Sequence, residues 1–282
     1  MLTPLPDIML EPVVRATLLE DLGRAGDITT DAIVPPDHRS RLALGARQNG
    51  VVAGLDLARI AFRIMDPAIE MTVHRPDGAP VRAGEAIATL SGPTRGLLTA
   101  ERTALNLLCR LSGIATATAG LVEAVGGYRA SIVCTRKTTP GLRALEKYAV
   151  RAGGGGNHRF GLDDAILIKD NHVAIAGGIR PALQRARSHA GHMVKIELEV
   201  DSLDQLREAM EIGVDAVLLD NMGPDMLAEG VEIIAGRAIS EASGRITPET
   251  ARAIAASGVD LISCGWITHS AAILDIGFDH LD

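Results

Sequence analysis

The chain of 282 residues is 47% hydrophobic and 2% aromatic and carries a formal net charge of −7. This length accommodates one large or two medium domains with a substantial core. The acidic balance and the scarcity of aromatic side chains argue against nucleic acid as the main partner. The cysteines, Cys109, Cys134 and Cys264, stand far apart, which is typical of buried thiols in a reducing cytoplasm and not of a disulfide framework or a zinc site.

The N-terminal residues indicate a cytoplasmic protein. Asp7 and Glu11 interrupt the first dozen residues, and no basic start precedes an apolar stretch, so a secretory signal peptide is not expected. No run approaches the ~18 consecutive apolar residues that a membrane helix requires. We therefore expect a cytoplasmic location and no membrane partner.

The first part of the chain predicts a small domain of helices and antiparallel strands. Apolar residues recur at helical spacing over residues 7–25, and Gly26–Thr30 is expected to close this helix. Residues 40–90 carry short extended runs separated by turn signals, which predict antiparallel strands with one helix near residues 55–65. A further amphipathic helix over residues 99–112 is expected to link this domain to the next.

Six short apolar runs in the second half of the chain each carry a polar, charged or glycine residue at the last or next-to-last position. They are Ser131–Thr135, Ala165–Lys169, Lys195–Val200, Ala216–Asp220, Ala238–Ser243 and Leu261–Gly265. Such runs are typical of buried parallel strands, and the 15 to 29 residues between consecutive runs suffice for a crossover helix. Alternating strands and helices close most economically into an α/β barrel.

In such a barrel the active site lies at the C-terminal ends of the strands. The residues at these ends are cations, carboxylates and small residues, namely Thr135-Arg136-Lys137, Lys169-Asp170, Glu199, Asp220, Ser243-Gly244 and Gly265. Cations and backbone amides bind anions, and carboxylates bind hard metal ions. This rim therefore predicts a site for a polyanion held partly through a divalent metal.

Two segments supply most of the cations. Thr135–Gly141 combines two adjacent cations with hydroxyl groups and a Pro-Gly turn, a cradle for a carboxylate or phosphate; an ordinary solvated turn is the alternative. Gly153–Arg159 places four glycines before an Asn-His-Arg sequence. A flexible loop or a mobile cationic lid would explain this composition, and Lys169 just downstream favours the lid.

Glu199 and Asp220 end the third and fourth barrel strands, where two carboxylates repel each other unless a cation lies between them. Mg²⁺ bound by these carboxylates and by substrate phosphates fits this arrangement, and helix N-caps are the alternative. Glu197 shares the strand face of Glu199 by two-residue alternation, so the pattern does not separate the two. The Ser243-Gly244 and Gly265 turns predict backbone N–H groups that face a phosphate, with simple turn glycines as the alternative.

The chain resembles the quinolinate phosphoribosyltransferases, also called carboxylating nicotinate-nucleotide pyrophosphorylases, over nearly its whole length. The motifs that carry the resemblance are Glu20–Gly23, Gly26–Thr30, Glu101–Asn106, Leu111–Thr116, Thr135–Gly141, Glu146–Arg159, Leu167–His172, Leu219–Met222 and Thr268–Ser270. The family fold implies an α/β protein with two domains. An N-terminal α/β sandwich of residues 1–112, joined by 271–282, would precede an incomplete TIM-like α/β barrel of residues 113–270.

The resemblance also implies a reaction and a homodimer. The family joins quinolinate to phosphoribosyl pyrophosphate (PRPP), which carries Mg²⁺, and it uses no organic cofactor. The products are nicotinate mononucleotide, pyrophosphate and carbon dioxide, and the step belongs to de novo NAD biosynthesis. The sites of the family dimer lie at the subunit interface.

Residue roles follow from the matching motifs. The cations expected around the two carboxylates of quinolinate are Arg136, His158, Arg159 and Lys169, with Arg102 from the neighbouring subunit. The residues expected to act on PRPP are Lys137, Glu199 and Asp220, the last two also holding its Mg²⁺. The expected substrate-binding set is completed by Thr135, Ser243, Gly244, Arg245 and Gly265.

Four positions depart from the family pattern. Cys134 stands where Asp is usual, Gly156 where a larger residue is common, Arg245 where a second Gly is usual, and Trp266 where a small residue is usual. A guanidinium or an indole beside the phosphate turns would crowd or strengthen the 5′-phosphate site. The alternatives are a molybdenum-linked or other-base phosphoribosyltransferase, or a non-catalytic anion-binding protein, although the molybdenum-linked group tends to lose the Asn157-His158-Arg159 pattern, intact here.

Overall fold

Residues 2–281 are described by the computed structural model, and the chain forms two compact units. The first unit contains the residues up to Ala119, Ala144–Gly154 and the residues from Ser270 onward, and the second contains Gly120–Arg143 and Gly155–His269. The domain division expected from the sequence, 1–112 with 271–282 and 113–270, stays a prediction.

The helices are, in chain order, α1 (Asp7–Leu22), α2 (Ile28–Ile33), α3 (Leu55–Met65), α4 (Thr94–Ala124), α5 (Arg143–Ala152), α6 (Asp170–Ala176), α7 (Ile179–His189), α8 (Leu203–Ile212), α9 (Pro224–Ile234), α10 (Pro248–Ala256) and α11 (Trp266–His269). The strands are β1 (Arg39–Ala46), β2 (Gly50–Val51), β3 (Glu70–Val73), β4 (Pro80–Val81), β5 (Ala86–Pro93), β6 (Ser131–Val133), β7 (Ile166–Ile168), β8 (Ile196–Val200), β9 (Ala216–Asp220), β10 (Ile239–Ser243), β11 (Leu261–Ser263) and β12 (Ile276–His280).

The first unit is built on an antiparallel sheet with the strand order β12-β1-β5-β3, and β2 and β4 form a separate pair. The predicted helix near residues 55–65 is confirmed as α3. Phe62 of α3 is buried, and its ring centroid lies 5.6 Å from that of Phe278 on β12. Main-chain pairing with β1 and this aromatic contact together hold the last strand in the sheet.

The segment Gly26–Thr30, expected only to close the first helix, begins a second one. α1 ends at Leu22, and the Asp27 side chain accepts a hydrogen bond of 2.9 Å from the backbone N–H of Thr30. This bond satisfies one of the unpaired N–H groups at the start of α2, which is how an aspartate N-cap stabilises a helix.

Helix α4 is much longer than the predicted helix over residues 99–112. The buried side chains of Ile114 and Leu121 continue its apolar face, and this packing outweighs the low helix propensity of Gly113. A close approach of backbone explains that glycine. A methyl group on Gly113 would overlap the carbonyl oxygen of Ala272 and lie 2.8 Å from the Cα atom of Ile273.

By length and composition α4 could also cross a membrane. However, 56% of its most apolar 18-residue window is buried inside the protein, as is common in the core helix of a globular domain. The absence of a membrane partner stays an expectation.

All six predicted barrel strands are present in the second unit as β6 to β11. They form one parallel sheet with the order β6-β11-β10-β9-β8-β7, and β6 and β7 are its edges among the described strands, as in an incomplete barrel. The register places Ser243 beside both Asp220 and Ser263. Because parallel strands end at the same edge of a sheet, residues far apart in sequence meet at this rim.

The buried-thiol prediction is confirmed. Cys109, Cys134 and Cys264 are all buried, and no disulfide joins them within the described residues. Burial raises the pKa of Cys109, and it raises the pKa of Cys264 to about 11, so both remain protonated, unreactive thiols at neutral pH.

The two glycines Gly113 and Gly120 of α4 provide a matched test of this packing. We expect Gly113→Ala to lower the free energy of unfolding by more than ~2 kcal/mol, because its methyl group must displace backbone. A Cβ atom on Gly120 would meet no described atom within 4 Å. Gly120→Ala should therefore raise the free energy of unfolding by up to about 1 kcal/mol through helix propensity. Urea unfolding of both variants measures the difference, and equal effects would contradict the close approach.

Candidate active site

A cavity of about 690 Å³ lies in the second unit at the C-terminal ends of the strands. Twelve of the thirteen predicted site residues line it, namely Thr135, Arg136, Lys137, His158, Arg159, Lys169, Glu199, Asp220, Ser243, Gly244, Arg245 and Gly265. Arg102 belongs to the first unit, where it lines a hollow together with Asp27 and Thr99. The expected convergence at the rim is therefore present, while the role of each residue stays a prediction.

The turn after β6 holds two cations at the cavity. Thr135 Oγ1 accepts a hydrogen bond of 3.0 Å from the backbone N–H of Lys137, and Thr268 Oγ1 donates one of 2.7 Å to the Lys137 carbonyl. Gly265 leaves room for the lysine stem, because a Cβ atom there would lie 2.9 Å from Lys137 Cδ. The buried Nε of Arg136 has no hydrogen-bond partner among the described residues, and an anion in the cavity would satisfy it.

Gly156 of the glycine-rich segment pairs with strand β6. Gly156 donates to the Ile132 carbonyl at 2.8 Å and accepts from the Cys134 N–H at 3.2 Å, so this part of the segment pairs with β6. A Cβ atom on Gly156 would lie 3.3 Å from Val133. This isolated bridge anchors Gly156, two residues before His158, and the mobile cationic lid stays a prediction.

His158 and Arg159 follow this anchor. The Arg159 N–H donates to His158 Nδ1 at 2.8 Å, which leaves the ring proton on Nε2, and that nitrogen donates to Glu197 Oε2 at 2.9 Å. One guanidinium nitrogen of Arg159 donates to the Ala165 carbonyl at 3.0 Å. Burial and the neighbouring Arg136 cation hold the pKa of Arg159 below its usual value, because both penalise its positive charge.

Glu241 adds a buried carboxyl group that the sequence analysis did not single out. Its Oε2 lies 3.6 Å from His158 Nε2, and only 1% of the residue is exposed. Burial and the adjacent Glu197 carboxylate raise the pKa of Glu241 to about 7. The potential ligand atoms of His158, Glu197 and Glu241 lie within 4.8 Å of one another, a spacing that would also fit a metal ion.

Glu199 and Asp220 form the acidic side of the cavity. Lys169 Nζ lies 3.9 Å from Glu199 Oε2. Burial raises the pKa of Glu199, the Lys169 cation opposes this change, and Asp220 adds to it. The N-caps of α8 and α9 are Ser202 and Gly223, which excludes the alternative that the two carboxylates are helix caps.

The structure also separates Glu197 from Glu199. Glu199 lines the cavity, whereas the Glu197 side chain lies against His158, as the shared strand face allows. Glu241 precedes the predicted Ser243 by two residues on β10, so the same alternation was the signal that could have identified it. Asn221 is a further lining residue; its side chain donates to Asp220 Oδ2 at 2.6 Å.

The turns after β10 and β11 complete the cavity. Gly244 has φ +106°, and a methyl group there would overlap Asn221 Oδ1, so only glycine fits. Arg245 follows in the left-handed region with φ +48°. Trp266, which follows Gly265, donates its indole N–H to the Ile246 carbonyl at 2.8 Å.

Comparison with known proteins identifies close relatives. The model of the quinolinate phosphoribosyl transferase N-terminal domain matches residues 27–112, and that of the C-terminal domain matches residues 114–279. A probable nicotinate-nucleotide pyrophosphorylase [carboxylating] of Bacillus subtilis is 44% identical over 272 residues, 96% of this chain and 93% of the relative. The nicotinate-nucleotide pyrophosphorylase [carboxylating] of Mycobacterium leprae is 44% identical over 94% of this chain and 95% of its own.

Among solved structures, the crystal structure of NadC from Streptococcus pyogenes superposes with a TM-score of 0.95 at 40% sequence identity. The superposition covers 99% of this chain and all of the other. Both units of the chain therefore have a counterpart of known structure.

The buried carboxyl group of Glu241 predicts a pH-dependent stability. Its folded pKa of about 7 lies above the ordinary 4.5, so between these values the folded protein retains a proton that the unfolded chain has released. Stability from this group therefore falls as pH rises from about 4.5 to 7. Glu241→Gln has no ionisable group at this position, so this contribution to the pH dependence should disappear. From pH 5 to pH 8, the free energy of unfolding of the variant should therefore improve by roughly 1–3 kcal/mol relative to that of the unmodified protein.

Urea unfolding at pH 5 and pH 8 measures this difference. Glu208→Gln, at an exposed position of α8, is the control and should follow the unmodified protein at both values. An equal pH dependence for Glu241→Gln and the control would show that the Glu241 carboxyl group is not held protonated.

Proposed function

The chain belongs to the quinolinate phosphoribosyltransferase family, and we propose from this premise that the rim cavity is its active site. The enzyme joins quinolinate to PRPP and forms nicotinate mononucleotide, pyrophosphate and carbon dioxide, a step of de novo NAD biosynthesis. The observation that carries the site assignment is the lining itself. Five of the described lining residues, Arg136, Lys137, Arg159, Lys169 and Arg245, bring fixed positive charge to one cavity.

Arg136, Arg159 and Lys169 would bind the two carboxylates of quinolinate. His158 would line the same site and position Arg159, since its two ring nitrogens bond to the Arg159 backbone N–H and to Glu197. The unsatisfied Nε of Arg136 and the lowered pKa of Arg159 support this assignment. Two guanidinium groups held close together in a partly buried wall repel each other, and a dianion between them removes that repulsion. Planar guanidinium groups also bind carboxylates through paired hydrogen bonds.

Lys137, Glu199 and Asp220 would act on PRPP. The donor set fits Mg²⁺, since carboxylate oxygens are ligands that Mg²⁺ prefers and both carboxylates line the same cavity. A cation there would also offset the burial that raises the pKa of Glu199. When bound with PRPP, Mg²⁺ would neutralise part of the pyrophosphate charge, and the Lys137 ammonium would stabilise the charge that develops on the leaving group.

The chemistry then needs positioning more than a reactive side chain. The bond between C1′ and pyrophosphate breaks with its electrons leaving on pyrophosphate, and the ribose acquires oxocarbenium character. The cations that hold both carboxylates orient the ring nitrogen behind C1′, where the new bond forms. The resulting pyridinium accepts the electron pair released as carbon dioxide departs, and a proton takes its place on the ring. No organic cofactor is therefore needed.

A homodimer is part of the proposal. Arg102 would reach the active site of the neighbouring subunit and add a cation to the quinolinate carboxylates, which the family resemblance supports. A cytoplasmic location is also proposed, and the buried thiols support it. We also propose that residues 1–112 together with 271–282 form one domain and that residues 113–270 form the other.

One assay tests the proposed site and its substrates together. Nicotinate mononucleotide is measured after incubation with PRPP and Mg²⁺, with quinolinate and nicotinate offered separately, alongside carbon dioxide and pyrophosphate. We expect equal amounts of all three products from quinolinate alone, loss of activity in EDTA, and recovery with excess Mg²⁺. Product from nicotinate would indicate a different base specificity, and PRPP binding without turnover would indicate an anion-binding protein.

Arg136→Ala should weaken transition-state stabilisation by at least ~2 kcal/mol, about 30-fold in kcat/KM, because a charge-assisted contact to a dianion is lost. Arg136→Lys keeps the charge without the planar pair of donors, so its kcat/KM should lie between those of the unmodified protein and Arg136→Ala. Arg180→Ala, at an exposed position of α7 outside the cavity lining, is the control. Unchanged steady-state kinetics in Arg136→Ala would contradict the assignment.

Subunit mixing tests Arg102. Arg102→Ala and Lys137→Ala should each be nearly inactive, but mixed dimers would contain one intact site, and a random mixture should regain about a quarter of the activity. The control mixes Arg136→Ala with Lys137→Ala, whose defects lie in the same unit, and should regain none. Recovery in neither mixture would count against a site shared between subunits.

A further inference from the structure

Arg245 stands in a backbone conformation that side chains other than glycine rarely adopt. Its φ of +48° lies in the left-handed region, where the Cβ atom of an L-residue crowds the following carbonyl oxygen. The family resemblance implies a second glycine at this position, for which the conformation is free of strain. Such strain is retained where the surrounding structure imposes it, and it points to a function that offsets its cost.

The residues on both sides explain why Arg245 does not relax. On one side, Gly244 packs against Asn221, and the Asn221 N–H donates to the Ser243 carbonyl at 2.9 Å. On the other, Ile246 is buried, and its carbonyl accepts the indole hydrogen bond of Trp266. Both ends of the turn are thus held in place, and the backbone of Arg245 is confined between them.

The Arg245 side chain contacts no hydrogen-bonding or charged partner among the described residues. Arg245 is exposed and lines the cavity, and among the described residues it makes no hydrogen bond or ion pair. It follows β10, whose neighbours in the sheet are β11 and β9. The guanidinium therefore belongs to the wall that carries the Gly244 and Gly265 turns, away from the sheet edges that carry Arg136 and Lys169.

We propose that Arg245 is a specificity-determining residue that binds the 5′-phosphate of PRPP and of the product nucleotide, with Trp266 as the residue that positions its turn. The inference rests on the proposed function. Of the two effects expected from Arg245 and Trp266, crowding or strengthening of the 5′-phosphate site, it selects strengthening. A guanidinium forms paired, charge-assisted hydrogen bonds with a phosphate, which glycine at this position cannot supply.

This assignment predicts opposite effects on stability and binding. Arg245→Gly relieves the backbone strain and removes the charge, Arg245→Ala removes only the charge, and Arg245→Lys keeps the charge. We therefore expect a higher melting temperature in the glycine variant alone. Both uncharged variants should bind ribose 5-phosphate at least about tenfold more weakly, and Arg245→Lys should retain part of the affinity.

Calorimetry with ribose 5-phosphate and, separately, with pyrophosphate distinguishes the two ends of PRPP. Affinity for pyrophosphate should change less than about twofold in every variant, and KM should rise for PRPP but not for quinolinate. Trp266→Phe, which keeps an aromatic ring but loses the N–H donor, should show the same selective rise in KM. Arg252→Ala, at an exposed position of α10 outside the cavity lining, is the control.

Three outcomes would overturn the inference. They are unmodified protein that does not bind ribose 5-phosphate, Arg245→Gly protein that binds it with undiminished affinity, and a loss confined to pyrophosphate. Failure of the proposed function is a separate result. In that case the unmodified protein would form no nicotinate mononucleotide, while the Arg245 variants would still lose affinity for ribose 5-phosphate.

Discussion

Mutual repulsion between the guanidinium groups of Arg136 and Arg159 is the constraint on which the cavity depends. The pKa of Arg159 is lowered by burial and by the Arg136 cation, so the two guanidinium groups lie close together only because the scaffold holds them there. Arg136 follows strand β6 directly, and Arg159 follows Gly156, which pairs with β6. A single negative charge offsets part of this repulsion and a double charge offsets more, which would make the site selective for a dicarboxylate over a monocarboxylate.

The parallel sheet brings the other lining residues of the cavity into one rim with these two cations. Its order places the β6 and β7 turns, with Lys137 and Lys169, at the two edges, and the carboxylates Glu199 and Asp220 on the neighbouring strands β8 and β9. Each ligand would therefore meet cations and carboxylates in a fixed sequence around the rim. Beneath them, Glu197 and Glu241 hold His158 from the core side, so that the imidazole is oriented before any ligand arrives.

Much of this arrangement was predictable because parallel strands have a simple signature. The six apolar runs, and the polar and glycine residues at their ends, identified the strands and nine of the residues that line the cavity. The glycine-rich segment added His158 and Arg159, and the family resemblance added Arg245. The extent of α4 was not predictable, since tertiary packing of Ile114 and Leu121 carries the helix beyond Gly113. Glu241 was missed because one carboxyl group in an apolar strand looks the same whether it faces solvent or a buried histidine. The anchoring of Gly156 depends on β6, which is distant in sequence, and local composition suggested only mobility.

The antiparallel sheet of the first unit has a consequence for how the protein is made. Its strand β1 pairs on one side with β5 and on the other with β12, which the ribosome synthesises only after the entire second unit. Until residues 276–280 emerge, β1 presents an open edge to other nascent chains. Completion of the first unit during translation must therefore wait until β12 has emerged, and a premature stop codon just before β12 would leave that edge permanently exposed.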